Sequence, residues 1–264
     1  MQNPVIVIGI GEMASVFSRA LLRHGYPVYP VNRKTDMQAL AETIPDPSLV
    51  LAGVGENDLH PLLNKIPARW LPRLALLQNE LLPRDWQVLN LPAPPTVISV
   101  WFEKKKSMDY KVLVPSPAYG PRASLLIDAL ATLDIPAWEL ASENELEFEL
   151  VRKNVYILTT NITGLVINRF RAETVKEMWQ DYPDLAREVA NDVIDIQESL
   201  TGHRFDREKL IDGMLDAING DPKHKCLGRS APVRLNRAIQ QADEAGLAVP
   251  RLRDIHKNEV ESEI

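Results

Sequence analysis

The sequence predicts an α/β protein in two parts, a doubly wound parallel sheet first and a smaller all-helical part second. Three observations predict it. The apolar run Val5-Ile6-Val7-Ile8 stops abruptly at Gly9-Ile10-Gly11, as a buried strand does when it turns into a helix. Short apolar runs then alternate with helical stretches as far as about Leu140, an order that gives parallel strands with crossover helices. From Ser142 onward the pattern is helical and prolines become sparse.

In chain order, Pro4 to Ile8 is the first strand, and Met13 to His24 is a helix closed by Gly25, the residue type that ends helices in the left-handed conformation. Tyr26 to Val31 is a second short strand. Asp36 caps a helix through Thr43, Ser48 to Val54 is a third strand, and Leu59 to Ile66 is helical. Leu74 to Leu77 is a fourth strand ending at Gln78-Asn79. Thr96 to Phe102 and Tyr110 to Val114 are strand-like, and Glu103 to Ser107 between them, with three lysines, reads as a solvated hairpin loop. Ala123 to Leu133 is a helix and Ala137 to Leu140 a closing edge strand. Ser142 with Glu145 forms a capping-box signature for a helix from Glu143 to about Leu165. Leu185–Leu200, Arg207–Ile218 and Pro232–Ala245 follow as helices, the last ended by Gly246. The expected domains are 1–142 and 143–264.

Composition narrows the function classes. The chain has 264 residues, 45% of them hydrophobic and 25% charged, the balance of an ordinary globular protein. A net charge of −6 argues against a nucleic acid or an anionic membrane surface as partner. No apolar run is long enough to span a bilayer, and no basic segment precedes the first strand. A lone cysteine, Cys226, permits neither an internal disulfide nor a multi-cysteine zinc site, and fits a reducing cytoplasm. His224 and Cys226 supply too few ligands for a metal centre, so no metal is expected.

The chemistry-bearing motif is Gly9-Ile10-Gly11-Glu12-Met13-Ala14, a G-x-G-x-x-G pattern with alanine at its last position. It lies between a strand and a helix, the context that a Rossmann dinucleotide site requires. Gly9 permits the tight turn, Gly11 lets a pyrophosphate approach the backbone, and Ala14 is small enough for close helix–strand packing. The helix N-terminus adds amide donors and a favourable dipole. A glycine turn with no nucleotide is the alternative reading. The second strand ends at Asn32-Arg33-Lys34, where an NAD-specific site carries an acidic residue. Two cations there suit a 2′-phosphate, so the expected cofactor is NADP(H).

Lys153 and Asn161, eight residues apart on the helix from Glu143, lie about 80° off full turns and so on neighbouring faces. A lysine in a cleft beside a nicotinamide could protonate a carbonyl oxygen; a solvated Arg152-Lys153 pair is the plainer reading of the spacing alone. Four stretches, VIVIGIGEMA, LLQNELLP, ELVRKNVYILTTNITGL and AIQQADEAGLAVP, together resemble the ketopantoate reductase family, within the 6-phosphogluconate-dehydrogenase-like two-domain enzymes. The resemblance implies roles. Lys153 would be the general acid and Asn161 a substrate-side asparagine. Asn79 would contact cofactor and active site, and Arg33 would select the 2′-phosphate. The family's helical second domain implies a possible homodimer.

The chain also departs from the family. Ile157 stands where the first helix asparagine belongs, and Val54-Gly55-Glu56-Asn57-Asp58 is acidic where the family is basic. Ser230 or Ala231 stands where a glutamate would bind substrate hydroxyl, and His224-Lys225-Cys226 where a serine would. In the loop DPKHKCLGRSAP, Lys225 and Arg229 are the cations that could bind a carboxylate or phosphate; a plain surface loop is the other reading. His60 and His203 read as surface residues. The expected function is an NADP-dependent reductase of a small 2-keto acid or related carbonyl compound. The alternatives are a non-catalytic NADP(H)-binding sensor or interaction protein and a related enzyme with another substrate.

Overall fold

A computed structural model describes residues 2–89, 91–170 and 172–259. The residues up to Leu150 and those from Val151 form two compact units.

The first unit begins with β1 (Val5–Ile8), α1 (Glu12–Arg23), β2 (Val28–Val31), α2 (Met37–Thr43), β3 (Leu49–Ala52) and α3 (Glu56–Leu63). A 3-10 turn, Ala68–Arg73, leads into β4 (Leu74–Gln78) and the short α4 (Arg84–Gln87). Then come β5 (Thr96–Ser99), β6 (Phe102–Glu103), β7 (Lys111–Val112), β8 (Ser116–Tyr119), α5 (Ala123–Ala131) and β9 (Ala137–Glu139). Seven strands make one sheet in the order β2-β1-β3-β4-β5-β8-β9. It is parallel from β2 through β5, antiparallel at β5–β8 and parallel again at β8–β9. This is a Rossmann-like α/β sheet.

β1 and β3 are buried at every position, as central strands covered on both faces must be. Val5, Val7, Leu49, Leu51, Ala75 and Ile98 face a core that they share with Phe17, Ala20 and Leu21 of α1 and with Leu126, Ala129 and Leu130 of α5. The alternate residues Ile6, Val50 and Leu76 face the other side and are equally buried. Trp70, in the 3-10 turn that contacts β3, is buried too and donates its indole N–H to the carbonyl of Ile44 at 2.9 Å. Pro30 is accommodated because β2 is an edge strand, where a missing N–H costs nothing.

The structure corrects three expectations. The run Thr96 to Phe102 is not one strand: β5 stops at Ser99, and Phe102 pairs instead with Val112 in a separate hairpin. Strand β8 is absent from the sequence expectation because Pro115 and Pro117 mask it. Its pairing to β5 involves Ala118 and Tyr119, so Pro117, without a donor, falls outside that ladder. The short helices Arg84–Gln87, Val175–Asp181 and Pro250–Glu259 were also not expected.

The second unit is built on α6 (Glu143–Ile167), which begins in the first unit, followed by a 3-10 turn at Asn168–Phe170, α7 (Val175–Asp181), α8 (Pro183–Thr201), α9 (Arg207–Gly220), α10 (Ala231–Glu244) and α11 (Pro250–Glu259). At the start of α6 the Ser142 hydroxyl accepts from Glu145 N, while the Glu145 carboxylate reaches Ala141 N at 2.8 Å. Asn154 of α6 donates to Gln197 of α8 at 2.7 Å, in a buried contact. A β-bridge joins Thr174 to Lys225.

Candidate functional site

The strand order places β1 between β2 and β3, so the chain departs from β1 to opposite sides and leaves a crevice at the strands' carboxyl ends. Gly9 caps β1 there: its N–H donates to Val31 O of β2 and Gly53 N–H donates to Ile8 O of β1, both at 2.8 Å. Gly9 has φ +94, and a Cβ on it would lie 2.5 Å from Gly53 O. Both the left-handed backbone and the contact therefore demand glycine. A Cβ on Gly53 would in turn meet the Ala14 Cβ at 2.9 Å. The absent side chain at Gly53, just after β3, thus makes room for Ala14, which is buried in the first turn of α1.

Gly11 is different. It is the N-cap of α1, makes no side-chain cap bond, and a Cβ on it would meet nothing within 4 Å. Nothing in the protein requires a glycine at this position. The first-turn amides of α1, at Glu12, Met13 and Ala14, precede the first i→i−4 bond, which is donated by Ser15 N–H to Gly11 O, and are open to an outside acceptor. Ile10 is exposed and lines, with Ser15, Ser18 and Arg19, a concavity of about 410 Å³ along α1. A second concavity of about 530 Å³, lined by Tyr119, Gly120 and Glu139, belongs to the other end of the strands, because Tyr119 pairs with Val97 near the amino end of β5.

The crevice is flanked by charges. After β2, Asn32 closes a turn: its carbonyl oxygens accept from Lys34 N (side chain, 2.8 Å) and Thr35 N (backbone, 3.1 Å). That turn projects Arg33, whose side chain is 91% exposed, toward the carboxylate of Asp58 on α3 at 3.3 Å. Lys34 is exposed beside it. On the other flank, Glu12 at the start of α1 pairs with Lys104 of the β6–β7 hairpin at 3.2 Å, and the Lys104 side chain is only 17% exposed. The lysine-rich loop is therefore not uniformly solvated: Lys105 and Lys106 are exposed, Lys104 is drawn in. Asn79 follows directly on β4 and is exposed, next to the buried Gln78. The turn residues Gly9 to Ala14 and the segment Asn32-Arg33-Lys34, with its two cations, thus follow adjacent parallel strands, β1 and β2.

In the second unit, Lys153 lies on α6 and is 4% exposed, with Glu149 buried on the same face four residues earlier. Ile157 is half-buried one turn further on. The Asn161 side-chain oxygen accepts from Arg234 of α10 at 2.9 Å. Gly228 makes room for that contact, since a Cβ on it would lie 2.8 Å from the same oxygen. Arg234 was not among the residues expected from the sequence; its only signal was a cation in the first turn of a helix. Lys225 pairs with Glu173 at 3.0 Å, and Arg229 is exposed. Cys226 is buried against Gly164 of α6. Burial, and then the charge of Glu177, push its thiol up to about 12, so it is an inert packing group.

The fold and the turn define a class: a Rossmann-like domain followed by a helical part. No family model and no curated protein sequence matches the chain. Solved structures do. The chain is similar to 2-dehydropantoate 2-reductase from Methylococcus capsulatus (13% identity, TM-score 0.68, 98% of this chain and 96% of that one). It is also similar to a ketopantoate reductase of the PanE/ApbA family from Ralstonia eutropha JMP134 (13% identity, TM-score 0.66, 96% of each chain). D-mandelate dehydrogenase in a ternary structure with NADH and anilino(oxo)acetate matches at 13% identity and TM-score 0.63, over 98% of this chain and 100% of that one. At such identities the likeness is one of fold.

Proposed function

We propose that the chain is a nicotinamide-dependent oxidoreductase of the ketopantoate-reductase-like kind, with NADP(H) as cofactor and a small 2-keto acid or related carbonyl compound as substrate. The carrying observation is the contrast between the two glycines of the turn. Gly9 is explained by the protein's own backbone; Gly11 is not, and a pyrophosphate approaching the amides of α1 supplies the missing reason. Solved neighbours that are reductases and dehydrogenases, one of them with NADH, support the same reading. Arg33 supports the choice of NADP(H): its partner Asp58 is half-exposed, an ion pair worth at most about 1 kcal/mol in water, which a 2′-phosphate dianion can displace.

Bound in this way, the cofactor supplies a hydride to the carbonyl carbon. The chain's own part is to hold it and to move a proton. The resemblance assigns proton donation to the carbonyl oxygen to the Lys153 ammonium, with Asn79 on the cofactor side and Asn161 on the substrate side. Arg234, held by Asn161, is preferred to Lys225 as a candidate for a substrate carboxylate because a guanidinium offers a carboxylate two parallel donors and an ammonium does not. Arg229 remains a second cation for that task.

Fluorescence titration with NADPH and NADH tests the cofactor. Arg33→Ala is expected to weaken NADPH by about tenfold and NADH little. Failure of the wild type to bind either at micromolar concentration would sink the reductase reading. Where NADPH binds, Lys153→Ala should cut turnover of the best 2-keto acid by about 100-fold or more and leave NADPH affinity unchanged. A protein that binds NADPH and turns over none of a broad carbonyl panel would be the sensor.

A further inference from the structure

The β6–β7 hairpin carries none of the hydride- or proton-transfer groups, yet it is fastened to α1 along its length. Phe102 packs on Phe17 with ring centroids 5.7 Å apart and meets Tyr110 at 6.4 Å. Arg19 of α1 lies over the Tyr110 ring at 5.1 Å and pairs with Asp109 at 3.4 Å. These contacts fix the hairpin on the helix whose N-terminus faces the crevice. They leave one lysine of the three, Lys104, mostly withdrawn from water, with its ammonium 3.2 Å from the Glu12 carboxylate and 3.0 Å from Lys105 O. Glu12 is the first residue of α1, directly after Gly11. A carboxylate there suits the helix dipole, but it occupies the neighbourhood in which a pyrophosphate would lie and repels it.

Resting on the dinucleotide reading, we propose that Lys104 is a cofactor-binding residue that recognises the pyrophosphate of either nicotinamide dinucleotide, and that Glu12 is its internal competitor in the free protein. On binding, the diphosphate takes over the ammonium that Glu12 holds. Lys104 thus adds affinity without choosing between the two cofactors, whereas Arg33 chooses between them. Glu12 sets how much of that affinity is realised.

Titration of NADPH and NADH into the full chain and three variants tests this. Lys104→Ala should weaken both cofactors about tenfold and leave their ratio unchanged. Lys104→Gln, which keeps most of the stem and its packing, should do the same, with thermal melts confirming that the hairpin remains docked. Glu12→Gln should tighten both about threefold. Normal binding of both cofactors by the lysine variants, or a change in the NADPH/NADH ratio, would overturn the role of Lys104 while leaving the reductase reading intact. Weaker binding in Glu12→Gln would overturn the competition. A wild type that binds neither cofactor removes the reading and this proposal together.

Discussion

At the scale of single residues, two glycines separated by one isoleucine serve different masters, and substitution can tell them apart. Gly9→Ala must fit a Cβ at φ +94 and within 2.5 Å of a backbone oxygen. Either fault alone costs roughly 1–3 kcal/mol, so a clear loss in the urea midpoint is expected. Gly11→Ala meets nothing, so its unfolding curve should overlay the wild type, while NADPH affinity falls by about tenfold or more as the added methyl holds the pyrophosphate off the amides. A stable Gly11→Ala protein that binds NADPH normally would remove the observation on which the functional reading stands. The turn itself was legible because strand, glycines and helix are consecutive. Lys104 and Arg234 were not, since each acquires its meaning from a partner more than 70 residues away.

At the scale of elements, the helices were legible wherever their start signals are local. Asp36 accepts from Gln38 N and Ala39 N, as a Ser/Thr/Asp/Asn residue ahead of an apolar period should. The capping box of Thr174 and Glu177 at α7 is a local signal too, but the 7-residue helix behind it is too short to show an apolar period. Helix α11 has no capping side chain just ahead of it, only Pro250 at its first position. Its first amides, Arg251 N and Leu252 N, are accepted at 2.8 and 3.0 Å by Asp192, which sits on α8. Replacing Asp192 by alanine should therefore cost about 1–2 kcal/mol, with asparagine recovering part of it.

A second junction is sensitive to pH. Burial pushes the Glu198 carboxyl up, but the Phe205 N–H and the guanidinium groups of Arg204 and Arg207 outweigh it and hold the group below its ordinary value. A carboxyl whose folded pKa is lowered contributes stability above its unfolded value, and that stability disappears as pH falls through the lowered one. Glu198→Gln should hence destabilise by about 2 kcal/mol near pH 7, and the gap from wild type should close as urea titrations move below the ordinary carboxylate range. A gap that stays constant down to pH 3 would mean that the ion network is not the source.

At the scale of the whole molecule, the two units offer separate reporters. Trp70, Trp86 and Trp101 are buried in the first, and once Trp179 of the second unit is replaced by phenylalanine, tryptophan emission follows the sheet that carries the dinucleotide turn. A ligand that binds only the folded form, present at about 100 times its Kd, raises stability by about 2.7 kcal/mol. NADPH should therefore move the tryptophan-monitored urea midpoint upward, and Gly11→Ala should lose that shift while starting from the same midpoint. Cys226, buried in the second unit with its thiol pushed up to about 12, reports there. At pH 8 the native thiol is almost wholly protonated, against a substantial thiolate fraction of an exposed thiol. Iodoacetamide should label the native protein at least about a thousandfold more slowly than the unfolded chain, with labelling appearing at the urea concentration where the helical unit opens. Rapid labelling of the native protein would instead mean that the Gly164–Cys226 contact opens locally and that α6 is not firmly seated there.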